Sequence, residues 1–469
     1  MLTQPSLNQN NNWPEQSIQT DVVLIYPYFY THAPKAMLFH PLGIAQLAAV
    51  LRENVLHTQV IDCTFENHDD VISKIIHAQP RIVGIYVMLS MSENAMALAD
   101  NIRKALPETL LTCGGPLPTL KPEQFLTVFD VVFRGESDVS FPRFCLDYVL
   151  SDRSPDRLSG FITNPENYPG IYFNDYKNGA VIQTPCGSSD KKALDRLPIP
   201  DRDDYDHSKY QQFWLDRKEP SLASIMTSYG CPFDCDFCSK PVFGNHLRLR
   251  HMDRIFEEVR DIKTRGYDGL WIADDCFSLD PDHTRCFCHR LISEKLDMKW
   301  FCLSRVDKIT QSDIELWQDS GCRKVFFGLE SGNNDILKLM NKKTTTDEAE
   351  KTIERFAQSD IRTAGFFIVG YPGETYDTIE NTFEWALSLP LDEVSFTIPY
   401  PLPGTRLYDR VMHVDKTLDW KYENENRMVF QSEFDEVYLK KRIESVYKQF
   451  SDRRGDVRTL ATQPEQRYK

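Results

Sequence analysis

Two series of alternating strand and helix patterns, separated by a stretch that lacks them, limit what this chain can fold into more than any other feature. In the first series, apolar runs at 22–26, 58–62, 82–86, 110–113 and 131–133 alternate with helical patterns over 42–53, near 71–78 and through 95–105. Five such strands predict a doubly wound parallel sheet, a Rossmann-like α/β fold whose ligands bind past the carboxyl ends of the strands. The residues that follow the strands are the unusual ones: Pro27-Tyr28, Met88-Leu89-Ser90-Met91, Gly114-Gly115-Pro116 and Arg134-Gly135-Glu136. Glycines at 114 and 115 let backbone approach a ligand, and a tight turn is an equally good reason for them. The second series has strands at 224–227, 269–273, 300–303, 325–329, 364–369 and 394–398, with helices over 252–265, 313–320, 346–359 and 376–387. Six such units predict an open, partial (βα)6 TIM-like barrel, with its chemistry at the carboxyl ends of the strands. Polar residues gather at those ends: Asp274-Asp275, Ser304-Arg305, Glu330-Ser331-Gly332 and Gly370-Tyr371-Pro372-Gly373-Glu374.

After the first strand of the second series comes Cys231-Pro-Phe-Asp-Cys235-Asp-Phe-Cys238. Three thiolates at C-x3-C-x2-C spacing can hold three irons of a four-iron cluster and leave the fourth without a protein ligand. A cluster that only carries electrons normally takes four cysteines, so an open iron implies a place for a small bidentate molecule. Two other readings stand beside this one. A zinc site would want a fourth Cys or His, and His246 is the nearest, with no second Cys pair at zinc-ribbon distance; or the cysteines simply fill space. Cys63, Cys113, Cys145, Cys186, Cys276, Cys286, Cys288, Cys302 and Cys322 read as ordinary residues. Cys286 and Cys288, two apart on a helix pattern, point to different faces.

The 469 residues suggest two or three domains. Lys plus Arg is 54 against Asp plus Glu at 69, a net charge of -15. No broad basic surface is expected, which disfavours nucleic acid as substrate. With no apolar run approaching a membrane span, no opening hydrophobic segment and no disulfide framework, the expected compartment is the reducing cytosol.

Taken together, the cysteine spacing and its flanks resemble the radical S-adenosylmethionine (SAM) family. The segments His40-Pro41-Leu42-Gly43-Ile44-Ala45-Gln46-Leu47-Ala48, Gly114-Gly115-Pro116 and Phe129-Asp130-Val131-Val132-Phe133-Arg134-Gly135-Glu136 resemble the amino-terminal cobalamin-binding domain of its cobalamin-dependent branch. The resemblance covers about residues 20–410. One departure stands out: Asp62 is followed by Cys63-Thr64-Phe65, so the Asp-x-His-x-x-Gly motif of methionine-synthase-type domains is absent. His32 and His40 are near only by proximity and read as surface or helix-leading residues, so the resemblance implies cobalamin with no histidine below the cobalt.

The resemblance implies a 4Fe-4S cluster on Cys231, Cys235 and Cys238, and SAM contacts at Phe237, Asp274 or Asp275, Ser304, Arg305, Glu330 and Gly370. An Arg305–Glu330 pair could instead be a structural bridge. Cobalamin would meet Met88, Leu89, Ser90, Gly114, Gly115, Pro116, Gly135 and Glu136. The implied activity is methyl transfer from methylcobalamin to an unactivated carbon of a small metabolite or natural-product intermediate, by way of a 5′-deoxyadenosyl radical. The alternative is a radical SAM dehydratase, decarboxylase, epimerase or cyclase whose amino-terminal domain is a scaffold. The expected electron donor is a flavodoxin or ferredoxin. The expected divisions are a disordered tail over 1–19, the cobalamin-binding domain over 20–150, a linker with a hairpin about Asn178-Gly179 over 151–220, the radical SAM barrel over 221–410, and a helical region and tail over 411–469. Within the last, Trp420 and Tyr422 join Tyr400 and Tyr408 in an aromatic-rich region suited to packing or to closing over substrate.

Overall fold

The computed structural model describes residues 20–30, 37–151, 162–175, 179–412, 428–430 and 432–454. The tails expected over 1–19 and 455–469, and His32, Asn178, Trp420 and Tyr422, lie outside the described residues.

The first sheet has seven strands: β1 (Val22–Tyr26), β2 (Thr58–Asp62), β3 (Ile82–Tyr86), β4 (Leu110–Gly114), β5 (Val131–Phe133), β6 (Ile171–Asp175) and β7 (Ala180–Gln183). Their order is β2-β1-β3-β4-β5-β6-β7. The first five are parallel, as the alternation predicts. Successive side chains of a strand point to opposite faces, and both faces are covered here. Val22 and Leu24 join one buried cluster, with the helices Leu42–Glu53 and Ser140–Ser151. Val23 and Ile25 join another, with the helices His68–Ala78 and Ser92–Ala105. That is why these strands read as unbroken apolar runs. The hairpin expected in the linker is instead part of this sheet: β6 pairs antiparallel with β5, and β7 with β6. Its alternating burial, with Ile171, Phe173 and Asp175 inward, lets it close an edge that β5 would otherwise leave open.

The second sheet begins at β8 (Leu222–Ile225). A short antiparallel ribbon follows, β9 (Ser228–Tyr229) with β10 (Arg248–Leu249), and the cysteine run lies between its two strands. Next come β11 (Gly269–Ile272), β12 (Lys299–Ser304), β13 (Cys322–Glu330), β14 (Arg362–Ile368) and β15 (Glu393–Thr397). The order β15-β14-β13-β12-β11-β8 is parallel throughout, an arc whose two ends do not pair. Its helices lie outside, and Trp300 and Trp317 pack at 5.7 Å in the largest buried cluster. The helix Glu436–Arg454 adds Leu439, Ile443, Val446 and Phe450 to that cluster, and Arg442 and Tyr438 tie it to Glu380 at 2.6 and 2.8 Å.

The joining segment is bound to both sheets. Arg52 reaches Asp201 and Asp204 at 2.6 and 2.5 Å, and Tyr210 donates to Asp62 at 2.6 Å. Arg202 meets Glu258 at 2.5 Å, and the other oxygen of Glu258 takes Arg250 at 2.8 Å. An ion triad this deeply buried is favourable only because Arg202 and Arg250 also donate to the backbone carbonyls of Ser224 and Met226.

Candidate functional site

The carboxyl ends of both sheets open on one cavity of about 670 Å³. From the first sheet come Tyr26, Tyr86, Gly114, Gly115, Gly135 and Glu136; from the second come Ser224, Met226, Tyr229, Arg250, Trp271 and Ala273. Part of it runs down one face of the first sheet, between Leu24, Gly84, Thr112 and Phe133 and the helix residues Ile44, Leu47 and Phe141. A side chain at Gly84 would place Cβ 3.0 Å from Leu24 and 3.1 Å from Phe141, so glycine keeps this passage as wide as it is. Gly115 has φ +117°, and a Cβ there would lie 2.6 Å from the carbonyl oxygen of Val87. Gly114 has ordinary φ, so of the two glycines only 115 is demanded by backbone geometry.

Of the residues expected to meet cobalamin, Met88, Ser90, Gly114, Gly115, Pro116, Gly135 and Glu136 line this cavity. Leu89 packs instead beside the buried cluster of the first sheet. Glu136 has a second engagement: its carboxylate takes Arg248 at 2.5 Å and the amide of Ser189 at 2.8 Å, joining β10 to the loop after β5. Asp138, next to this pair on the cavity wall, has its carboxyl pushed up to about 6 by burial and by the Glu136 charge. His40 is a correction to the sequence reading. It does precede the helix Leu42–Glu53, but it is 1% exposed rather than on the surface, and it lines the cavity. Both its ring nitrogens lack a hydrogen-bond partner. Tyr205 stacks on it, with Tyr210 and Tyr267 edge-on, and burial and the Arg202 charge hold it neutral.

The cysteine run leaves β9 through Gly230, whose φ of +80° brings it against the carbonyl of His246, where a Cβ would be 2.5 Å away. Cys231 and Cys235 are half-buried and Cys238 is exposed. Burial pushes the Cys231 thiol up and that of Cys238 to about 11; Cys235 raises both further, and Cys231 adds to the rise at Cys238. The three thiols lie within one loop between β9 and β10. Three thiolates on one short loop fit a cluster with one iron left open, whereas a structural zinc ion would want a fourth ligand. Lys240 donates to the carbonyls of Cys231 (2.8 Å) and Phe233 and closes the loop on itself.

Around this loop the expected SAM-contact residues take different parts. Asp274 is consumed: it accepts from the amide and hydroxyl of Thr227 and the hydroxyl of Ser228, each at 2.6 Å, and so ties the end of β11 to that of β8. Asp275 presents an exposed side chain, yet partial desolvation in the cleft beside the cysteines raises its carboxyl, opposed by Lys240 and by the Gly230 amide, and its charge reaches Cys231 and Cys238. Ser304 donates to Ser278 at 2.6 Å. Arg305 and Glu330 do not form the bridge considered above. Arg305 pairs with Asp307 at 2.8 Å, donates to the carbonyls of Lys342 and Lys343, and lies 3.6 Å over the Phe233 ring. Glu330 pairs with Lys342 at 2.7 Å. Phe237 lies between the cysteines with the Lys342 ammonium 6.0 Å over its ring. Gly370 has φ +85°, and its amide and that of Tyr371 donate to Glu374 at 2.7 and 2.8 Å. Burial pushes the Glu374 carboxyl to about 7.

Three contributors are not visible as motifs. Lys342 is 6% exposed, and Glu330 and Cys235 together outweigh the burial that disfavours its charge. Arg406 and Arg410 of the helix Arg406–Met412 reach Asp234 and Asp236 (2.7 Å), the residues flanking Cys235. The same helix meets the first sheet's side of the molecule: Lys121 lies 5.3 Å from the Tyr408 ring, and Gly404 packs on Leu120. Their sequence signal is only charge in a loop, which a solvated surface explains equally well.

Comparison with known proteins returns two family matches: the radical SAM superfamily over residues 225–386 and a B12 binding domain over residues 35–144. The chain is 27% identical to an uncharacterised methyltransferase of Pyrococcus horikoshii, over 87% of each chain. It is 24% identical to the hopanoid C-3 methylase of Methylococcus capsulatus, over 85% of this chain and 74% of that one. Among solved structures, a radical S-adenosylmethionine methyltransferase from Kitasatospora setae, with cobalamin and a 4Fe-4S cluster bound, aligns with a TM-score of 0.72 at 16% identity. It covers 85% of this chain and 78% of that one, and establishes the shared fold. No helix among the described residues is long and apolar enough to cross a membrane.

Proposed function

We propose that this chain, which carries the radical SAM and B12 binding domains of the cobalamin-dependent radical SAM enzymes, transfers a methyl group to an unactivated carbon of a small molecule held between its two sheets. The observation that supports this reading is the single cavity walled by the ligand-binding edges of both sheets. In this family a 4Fe-4S cluster with SAM supplies one-electron bond cleavage, and a corrinoid supplies a methyl group to pass on.

The residues present fit those groups. Cys231, Cys235 and Cys238 would hold the cluster. Asp275, exposed beside the cysteine loop, would meet the SAM amino group, whereas Asp274 serves by fixing β11 beside the cysteine ribbon. The wall formed by Gly114, Gly115, Gly135 and Ser90 would hold the corrinoid, and the passage past Gly84 would take its nucleotide tail. Tyr26, Met226, Tyr229 and Trp271 keep the cavity largely apolar, which shields a reactive carbon from water. Since the bound groups carry the hard chemistry, the protein's contribution is alignment and exclusion of solvent. The electron donor in this reading is a small carrier such as flavodoxin or ferredoxin, in the cytoplasm.

The test is anaerobic purification and reconstitution with iron, sulfide and hydroxocobalamin, followed by measurement of bound corrinoid and cluster iron. Near-equal occupancy is expected. A cluster without corrinoid would overturn methyl transfer and leave SAM-driven elimination or rearrangement. Cys235→Ala is expected to abolish SAM cleavage while corrinoid binding persists; cleavage by that variant would sink the cluster assignment.

A further inference from the structure

Behind the cysteine loop lies a second loop, Met340 to Lys343, whose geometry is unusual for its sequence. Asn341 and Lys343 have φ of 51° and 56°, and Glu330, opposite them, has φ of 66°. At Asn341 this is the ordinary close of the helix Asn334–Leu339, where the amides of Lys342 and Asn341 donate to the carbonyls of Leu337 and Lys338 at 2.9 and 3.0 Å; Glu330 and Lys343 have no such cap, and side chains rarely adopt this conformation unless the surroundings impose it. The surroundings here are the cysteine loop. The amide of Asp236 donates to the Met340 carbonyl at 2.9 Å, and the Asn341 side chain donates to the Asp234 carbonyl at 2.5 Å. Arg305 holds the carbonyls of Lys342 and Lys343 while lying on Phe233. Between the two left-handed residues, the Lys342 side chain is directed inward to Glu330 and over Phe237, and its charge acts on Cys235. β13 carries a glycine where this pair crosses it: a Cβ at Gly328 would lie 2.4 Å from Glu330 Oε1 and 2.7 Å from Lys342 Nζ.

Two strained residues, one glycine and a buried ion pair thus converge on the position of one ammonium. Stability alone does not explain such an arrangement, because a buried ion pair is often no better than apolar side chains of the same volume. An ammonium over the ring that separates two thiolate ligands has a different use. A reduced iron–sulfur cluster carries one more negative charge than the oxidised one, and hydrogen bonds and nearby charge are among the levers that set its potential.

We propose that Lys342 is the counter-ion of the cysteine loop: held by Glu330 over the ring of Phe237, which stands between Cys235 and Cys238, it favours the reduced state of the cluster and so eases electron delivery to this site. The role is a positioning and electrostatic one, and it rests on the cluster assignment made above. Lys342→Met, Lys342→Arg and Glu330→Gln are reconstituted with iron and sulfide without SAM, poised with dithionite, and titrated potentiometrically by electron paramagnetic resonance. The midpoint potential is expected to fall in Lys342→Met, to stay near the wild type in Lys342→Arg, and to rise in Glu330→Gln, where the ammonium loses its compensating carboxylate. A structural bridge alone would not give shifts of opposite sign. Wild-type potentials in Lys342→Met and Glu330→Gln, with cluster content intact, would overturn the proposal; should Lys342→Met assemble no cluster, the sign in Glu330→Gln decides. A wild-type protein that takes up no cluster overturns the premise itself, a result visible before any potential is measured.

Discussion

Asp274 and Asp275 follow the same strand and carry the same group, yet their neighbours divide the work between them. Asp274 has three donors at 2.6 Å and is 1% exposed, so removing its carboxylate strands the Thr227 amide in the interior. An unsatisfied buried donor costs about 1–3 kcal/mol, and Asp274→Ala is expected to lower stability by at least that much in denaturant unfolding. Asp275→Asn should leave the unfolding curve within about 0.5 kcal/mol of the wild type, as exposed substitutions do. Its effect is expected in SAM affinity, measured by calorimetry on the reconstituted protein. Equal effects of both changes on stability would show that the division is wrong. From the sequence the two aspartates were indistinguishable, because the difference lies in Thr227 and Ser228, 46 and 47 residues away in the chain.

Among the elements, the parallel strands were readable because each must be apolar on both faces, and Val22 to Ile25 carry that pattern without interruption. The hairpin was readable as a hairpin but not as part of the first sheet. Its pairing with β5 depends on Ile171 and Phe173 facing the cluster that holds Val131 and Phe133, which no local pattern announces. Lys342 was unreadable for the same reason: its partners Glu330 and Phe237 come from other elements. At the turn from β4 into the helix Pro116–Leu120, by contrast, glycine is required by φ and by the Val87 carbonyl together. Gly115→Ala is expected to cost about 1–3 kcal/mol through backbone strain. It should also weaken corrinoid uptake, read from the absorbance of protein-bound hydroxocobalamin. Full uptake with unchanged stability would show that the turn tolerates a side chain.

Across the whole molecule, the sequence reading placed ligands at the carboxyl ends of the strands in each sheet, and the cavity shared by Gly115, Glu136, Met226 and Trp271 is where those two edges meet. What it did not anticipate is the set of ties that hold them there: Arg248 to Glu136 across the cavity mouth, and Arg202, Glu258 and Arg250 behind it. Breaking a buried pair by removing one partner costs about 3–5 kcal/mol, and Arg248→Met leaves the Glu136 carboxylate, 2% exposed, without its cation. The expected result is a split of one thermal transition into two, or faster proteolysis within the joining segment; a single transition at the wild-type temperature would show that the two halves are held elsewhere. The order of the strands also sets a sequence in time. The first sheet is complete once β7 ends at Gln183, and the arc is complete only at Thr397, an interval of about 10–40 s at usual rates of chain synthesis. The wall with the glycine cradle therefore stands finished while the cysteine loop is still being made. The side that wall faces stays open in the growing chain until the strands of the second sheet have been added.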